Sequence, residues 1–244
     1  MIEEKLKILE KGIESAQKFL ENICSPASEE LGLMLRDKVR QWRLNNIIKI
    51  LNKSSGNFDF ENDQLILKAH PRIVSEIMEK GSWQDNEEIQ SLWAGLLTSS
   101  LDSSGRNDEN IIFINILNKL TVRQVRIIKY FAEKSPKKID SQSQLTTESG
   151  IILDSDIFFR IVECQDIDIL SSEIKHLNSL GLVESGFGLA CGFFEETKKD
   201  PASHAAIKTG RYCVGLKLSS LALRLYIKGQ GFKGKMNDFF DDLK

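Results

Sequence analysis

The sequence predicts a mainly α-helical protein: a helical arm and a helical core, followed by a C-terminal winged-helix-like unit with a small β wing. Three observations carry that prediction. Residues 85–101, DNEEIQSLWAGLLTSSL, place Ile89, Leu92, Trp93, Leu96, Leu97 and Leu101 at i, i+3, i+4, i+7, i+8 and i+12, one wide apolar stripe on a helix. Ile2, Leu6, Leu9, Ile13, Ala16, Leu20 and Ile23 are spaced 4-3-4-3-4-3, a seam of about three heptads. Toward the C-terminus the order becomes helix, helix, strand, loop, strand, which is that of a winged helix-turn-helix.

Composition bounds the rest. A chain of 244 residues, 41% hydrophobic and 28% charged, suits one large or two small globular domains. Lys plus Arg number 33 against 35 Asp plus Glu, a net charge of -2, so attraction to nucleic acid or anionic lipid would need a local patch. Cys24, Cys164, Cys191 and Cys213 lie far apart with no CxxC, as in a reduced cytosolic protein. The opening MIEEKLKILEKG is charged and amphipathic rather than a signal peptide, and no apolar run approaches a membrane span. The expected location is cytoplasmic. The expected divisions are an arm over residues 1–60, a core over 61–120, a winged-helix-like unit over 121–229 and a flexible tail over 230–244.

In chain order, the seam of residues 2–23 has two readings. It can pack on its own domain or pair with a partner chain in self-association; Gly12 and Ala16 weaken a coiled coil and favour the first. Ser25-Pro26 then supplies an N-cap and a proline at the first helical position. The helix runs to about residue 53, with Leu31, Leu35, Val39 and Trp42 on an apolar stripe and Arg36, Arg40 and Arg43 on a basic one beside it. Ser54, Ser55, Gly56 and Asn57 end it. Residues 61–80 read as one or two shorter helices interrupted at Pro71, which holds His70 extended, and Gly81 and Ser82 close them.

Asp85 with Glu88 reads as a capping box for the central helix. A mid-helix glycine costs about 1 kcal/mol against alanine, so Gly95, among the small residues Ala94, Thr98 and Ser99, is expected to have a packing reason. Residues 102–110 form a polar loop and 111–120 a second apolar helix. Thr121 with Gln124 opens a helix to residue 134, stopped by Ser135-Pro136. Residues 139–156 read as loop with one short strand at Ile151, Ile152 and Leu153. Residues 157–164 form a short helix and 168–180 a longer one, faced by Leu170, Ile174, Leu177 and Leu180 and stopped at Gly181. Strand-like segments follow at 182–188 and 212–218, then a helix over 219–228. The wing between them, 188–210, is unusually long. The tail turns amphipathic through Met236, Phe239, Phe240 and Leu243, as a flexible end or a docking peptide.

Chemistry is sparse. His70, His176 and His204 form no HxxxH or HExxH pattern, and Cys191, His204 and Cys213 flank one loop without the paired short spacings of a zinc site. No metal and no cofactor is expected. P-loop and GxSxG motifs are missing, and no catalytic constellation is found, so the chain is not expected to be an enzyme. Asp166, Asp168 and Glu163 read as an acidic cluster or as helix-capping residues. The candidate recognition helix offers Lys175 and His176 against Asp166, Asp168 and Glu173, a balance that repels DNA. Arg36, Arg40 and Arg43 are the better candidates for an anion or a nucleic acid; the other reading is a solvated face beside Glu29, Glu30 and Asp37.

SPASEELGLMLRDKVRQWRLNNIIKIL, NEEIQSLWAGLLTSSLD, LTVRQVRIIKYF, LNSLGLVE and VGLKLSSLALRLYIKG together resemble the bacterial Abi-alpha (abortive infection alpha) domain family, over roughly residues 25–229. The acidic helix bearing Leu92, Trp93 and Ala94 is the most telling part. The resemblance implies phage resistance by abortive infection. It brings no known biochemical activity and no catalytic residues. The expected function is a non-enzymatic component of antiphage defence acting through protein or nucleic-acid binding; the alternative is a DNA-binding regulator using the winged helix.

Overall fold

The computed structural model describes residues 2–24, 38–56, 67–141, 144–148, 150–184, 188–190 and 213–240. It is mainly helical, with small antiparallel sheets, and divides into two units. Ser25-Pro26, Leu31, Leu35, Arg36, Cys191, His204 and nearly all of the long wing lie outside the described residues.

The first unit comprises Met1–Val122 and Arg224–Asp241, so arm and central helix share one body. Helix α1 (Ile2–Ile23) packs on α2 (Lys38–Ser55). Ala16, Phe19, Leu20 and Ile23 are buried, and a side chain at Gly12 would sit 3.3 Å from Ile48 of α2. Ala16, Leu20 and Ile23 of the seam therefore pack within the chain. In α2 the buried face is Leu44, Ile47, Ile48 and Leu51, at i, i+3, i+4 and i+7. Trp42 falls off that face and is 40% exposed, which corrects its placement on an apolar stripe.

Helix α3 (Pro71–Glu76) starts at its proline, with His70 extended and its Nδ1 accepting from the Arg72 amide at 3.1 Å. A π turn, Ile77–Gly81, follows where the sequence reads a simple stop. Helix α4 (Glu87–Ser100) begins one residue later than expected, because Asn86 rather than Asp85 is the N-cap: its Oδ1 accepts from the amides of Glu88 and Ile89 at 3.0 and 3.2 Å. Ile89, Trp93, Leu96 and Leu97 are buried and Leu92 is half-buried. So are Gln90, Ala94, Gly95, Thr98, Ser99 and Ser100, so α4 is enclosed on nearly every side rather than along one stripe. Thr98 Oγ1 meets Ser54 Oγ of α2 at 2.9 Å. Asn110, ahead of α5 (Ile111–Leu117), donates to the Leu96 carbonyl at 2.7 Å and Ser99 Oγ at 2.8 Å. In the tail, read from the sequence as a flexible end or a docking peptide, Phe239 packs edge-on against Tyr226 and Phe232, with centroids 6.0 and 5.2 Å away.

The second unit comprises Arg123–Leu223 and Asp242–Lys244. Helix α6 (Val122–Lys134) leads into an antiparallel hairpin of β1 (Lys137–Ile139) and β2 (Leu145–Thr147), which the sequence reading takes as loop. Then come β3 (Ile151–Asp154), α7 (Ser155–Val162), α8 (Ile167–Ser179), β4 (Gly188–Ala190) and β5 (Cys213–Leu216). Both β3 and β4 pair antiparallel with β5, giving the order β3-β5-β4, with Leu153 opposite Val214 and Gly188 opposite Gly215. Gly181, at φ +69°, ends α8 in the left-handed region as read from sequence. Helix α9 (Ser220–Gly229) follows the sheet.

Candidate functional site

The first unit carries an exposed aromatic pair. Trp42 on α2 and Trp83, just past the π turn, are 40% and 51% exposed, with ring centroids 6.2 Å apart and planes tilted by 56°. Leaving two large indoles in water forgoes burial energy, so such a pair is informative where a lone exposed Leu is not. The surface is braced from below. Arg43 lies with its guanidinium carbon 4.5 Å from the Trp83 ring centroid, its Nε donating to Ser82 Oγ at 2.9 Å and its Nη2 pairing with Glu79 Oε2 at 2.8 Å. Ser82 Oγ donates in turn to the Glu79 carbonyl at 2.9 Å. Beneath them the buried Asn46 donates to the Ser82 carbonyl at 2.9 Å, and Gln90 to the Gln84 carbonyl at 2.8 Å. The turn that presents Trp83 is thus tied to α2 and α4.

The three sequence-singled arginines part company here. Arg36 lies outside the described residues, Arg40 is exposed, and Arg43 is largely withdrawn into the contact with Glu79, Ser82 and Trp83. Trp83 is what sequence reasoning missed; the available signal was a tryptophan in a short Gly-Ser turn between two helices.

In the second unit, Asp166 caps α8, its Oδ1 accepting from the amides of Asp168 and Ile169, both at 3.0 Å. Lys175 is exposed, whereas His176 faces the buried Gln124, whose Nε2 lies 2.9 Å from His176 Nδ1 and donates to the Glu173 carbonyl at 3.1 Å. Glu163, left-handed at φ 52°, pairs with Arg126 at 2.6 Å. Asp156, Phe159, Arg160, Glu163, Cys164 and Gln165 line a cleft of about 650 Å³. Among the described residues no group of three His, Cys, Asp or Glu could hold a metal ion.

Two groups depart from their ordinary titration. The Asp102 carboxyl is held below the usual carboxylate range, chiefly by the Ser104 hydroxyl bonded to it at 2.9 Å, with the Gly105, Ser104 and Arg106 amides adding to it. Burial pushes the Lys228 ammonium down; Glu109 opposes that and Arg224 reinforces it.

Fold and surface define a mainly helical protein with small antiparallel sheets, an exposed tryptophan pair and, among the described residues, no helix long and apolar enough to cross a membrane. The family model Abortive infection alpha matches residues 39–212, and the chain belongs to that family. The matched region includes Trp42, Arg43, Trp83 and all of α4. No curated protein and no solved structure matches the chain.

Proposed function

We propose that the chain is a non-enzymatic component of abortive-infection defence that works in the cytoplasm by binding. Membership of the family supports the role, and the Trp42–Trp83 pair is the observation that carries the mode of action. Trp and Arg are enriched at the centres of binding surfaces. A surface already braced by Arg43, Ser82 and Asn46 loses little side-chain freedom on binding. Expressed with its native neighbours in a susceptible bacterial host, the gene is expected to lower plaque number or size for at least one phage. The double variant Trp42→Ala, Trp83→Ala should bring protection back toward the empty-vector level at unchanged protein abundance. Full protection by that variant moves the action elsewhere; no protection across a broad phage panel overturns the role.

The second reading is a DNA-binding regulator. What favours it is the winged-helix arrangement that we propose for α6 to β5. The strand order β3-β5-β4 and the four-residue turn, residues 163–166, between α7 and α8 both fit that arrangement. The exposed Asp166 and Asp168 at the start of α8, with His176 turned to Gln124, weigh against DNA there.

Self-association belongs to the same proposal only through Ile2, Leu6 and Leu9, since the later half of the seam is packed on α2. Leu6→Glu with Leu9→Glu should lower the mass seen by light scattering. An unchanged mass leaves α1 as a purely internal helix.

A further inference from the structure

We propose that the outward face of α2, together with Trp83, binds single-stranded nucleic acid; this rests on the reading of the chain as a binding component and names its ligand class. Three observations converge on that face. Helix α2 contains Lys38, Arg40, Arg43, Lys49 and Lys53 and no Asp or Glu, in a chain of net charge -2, so it is a local basic strip in a nearly neutral protein. Among the α2 residues with described side chains, Arg40, Gln41, Trp42, Asn45 and Lys49 are exposed. Trp42, Asn45 and Lys49, at i, i+3 and i+7, share one face, with amides and cations of the kind that meet bases and phosphates. The Trp42–Trp83 pair then supplies the aromatic platform on which unpaired bases stack.

Charge decides between occupants. Among the described residues Glu79 is the carboxylate ion-paired within the cluster, and its partner is Arg43, so each offsets the other and the exposed Lys49 leaves the strip positive. A basic partner protein is disfavoured on that face. A duplex is disfavoured too, because its base faces are already stacked and the tryptophans could reach them only by unpairing it. The acidic start of α8 offers a nucleic acid nothing comparable.

The test uses the full chain and three fluorescein-labelled probes: oligothymidylate, oligouridylate and a mixed-sequence duplex. At low salt both single strands should bind, quench the emission of Trp42 and Trp83 while sparing the buried Trp93, and weaken steeply as salt rises. The ratio of the two affinities tells DNA from RNA as the source. Trp42→Ala and Trp83→Ala should each weaken binding about tenfold. Lys49→Glu should weaken it and flatten the salt dependence, and Lys175→Glu in the second unit should leave it unchanged. All four positions are exposed, so circular dichroism should match the parent. Absence of binding at low salt, preference for the duplex, or parent-like binding by both tryptophan variants would each overturn the inference. If the tryptophan variants lose phage protection while nothing binds nucleic acid, the surface meets a protein and the defence reading stands without this ligand. If single strands bind as expected but the whole locus protects against no phage, the ligand stands and the defence reading fails.

Discussion

Trp93→Ala is expected to lower stability by about 3–5 kcal/mol, the range for truncating a large buried aromatic. The ring is wholly buried in the middle of α4. A side chain built onto Gly81 would lie 3.4 Å from that ring and 3.1 Å from Ile50, so Trp93 fills the space under the π turn and beside α2. Removing it leaves a cavity walled by three elements whose backbones are tied by Asn46 and Gln90, with little scope for collapse. The indole N–H meets no acceptor among the described residues. Trp93→Phe keeps most of the volume and deletes that orphan donor, so it should cost only about 1 kcal/mol. Urea titrations followed by circular dichroism, read as midpoint shifts at constant m, separate the two. A loss below about 1 kcal/mol for Trp93→Ala would mean that α4 is not the centre of the unit.

Helix α4 was legible because burial along a helix demands a period of 3.6, and Ile89, Trp93, Leu96 and Leu97 write that period plainly. Its start was off by one because Asp85 and Asn86 are both capping residues and only geometry chooses between them. Trp42 was misplaced by extending a stripe from Leu31, Leu35 and Val39, whereas the contact with α1 and α4 selects Leu44, Ile47, Ile48 and Leu51. The hairpin of β1 and β2 was missed for another reason. Strands of three residues, one of them Lys-Lys-Ile, owe their existence to cross-strand pairing and carry almost no pattern of their own. The candidate site was half legible: the basic character of α2 could be read off, but not that Arg43 would meet Glu79, Ser82 and Trp83. Contacts between residues so far apart in the chain leave no local signal.

The glycine in α4 gives an expected result whose sign, not only its size, is diagnostic. On an exposed helix Gly→Ala gains about 1 kcal/mol, since alanine is the better helix former. At Gly95 an added Cβ would stand 1.7 Å from the Gly229 carbonyl oxygen and 3.0 Å from the Gly231 amide nitrogen. Both are backbone atoms at the end of α9, where Gly231, at φ +80°, closes the helix with its amide on the Lys228 carbonyl at 3.0 Å and the Phe232 amide on the Ile227 carbonyl at 3.4 Å. No rotamer relieves such a contact; the end of α9 must move bodily, taking the packing of Phe232 and Phe239 with it. Gly95→Ala is therefore expected to destabilise by about 3 kcal/mol, the upper end of overpacking costs. The mirror change is milder: a Cβ at Gly229 meets the Cδ2 of Leu92 at 2.7 Å, the far end of a flexible side chain on a half-buried residue. Gly229→Ala should cost about 1 kcal/mol. Denaturant midpoints for the two variants measure the contrast, and a Gly95→Ala protein as stable as the parent would show that α9 does not close onto α4.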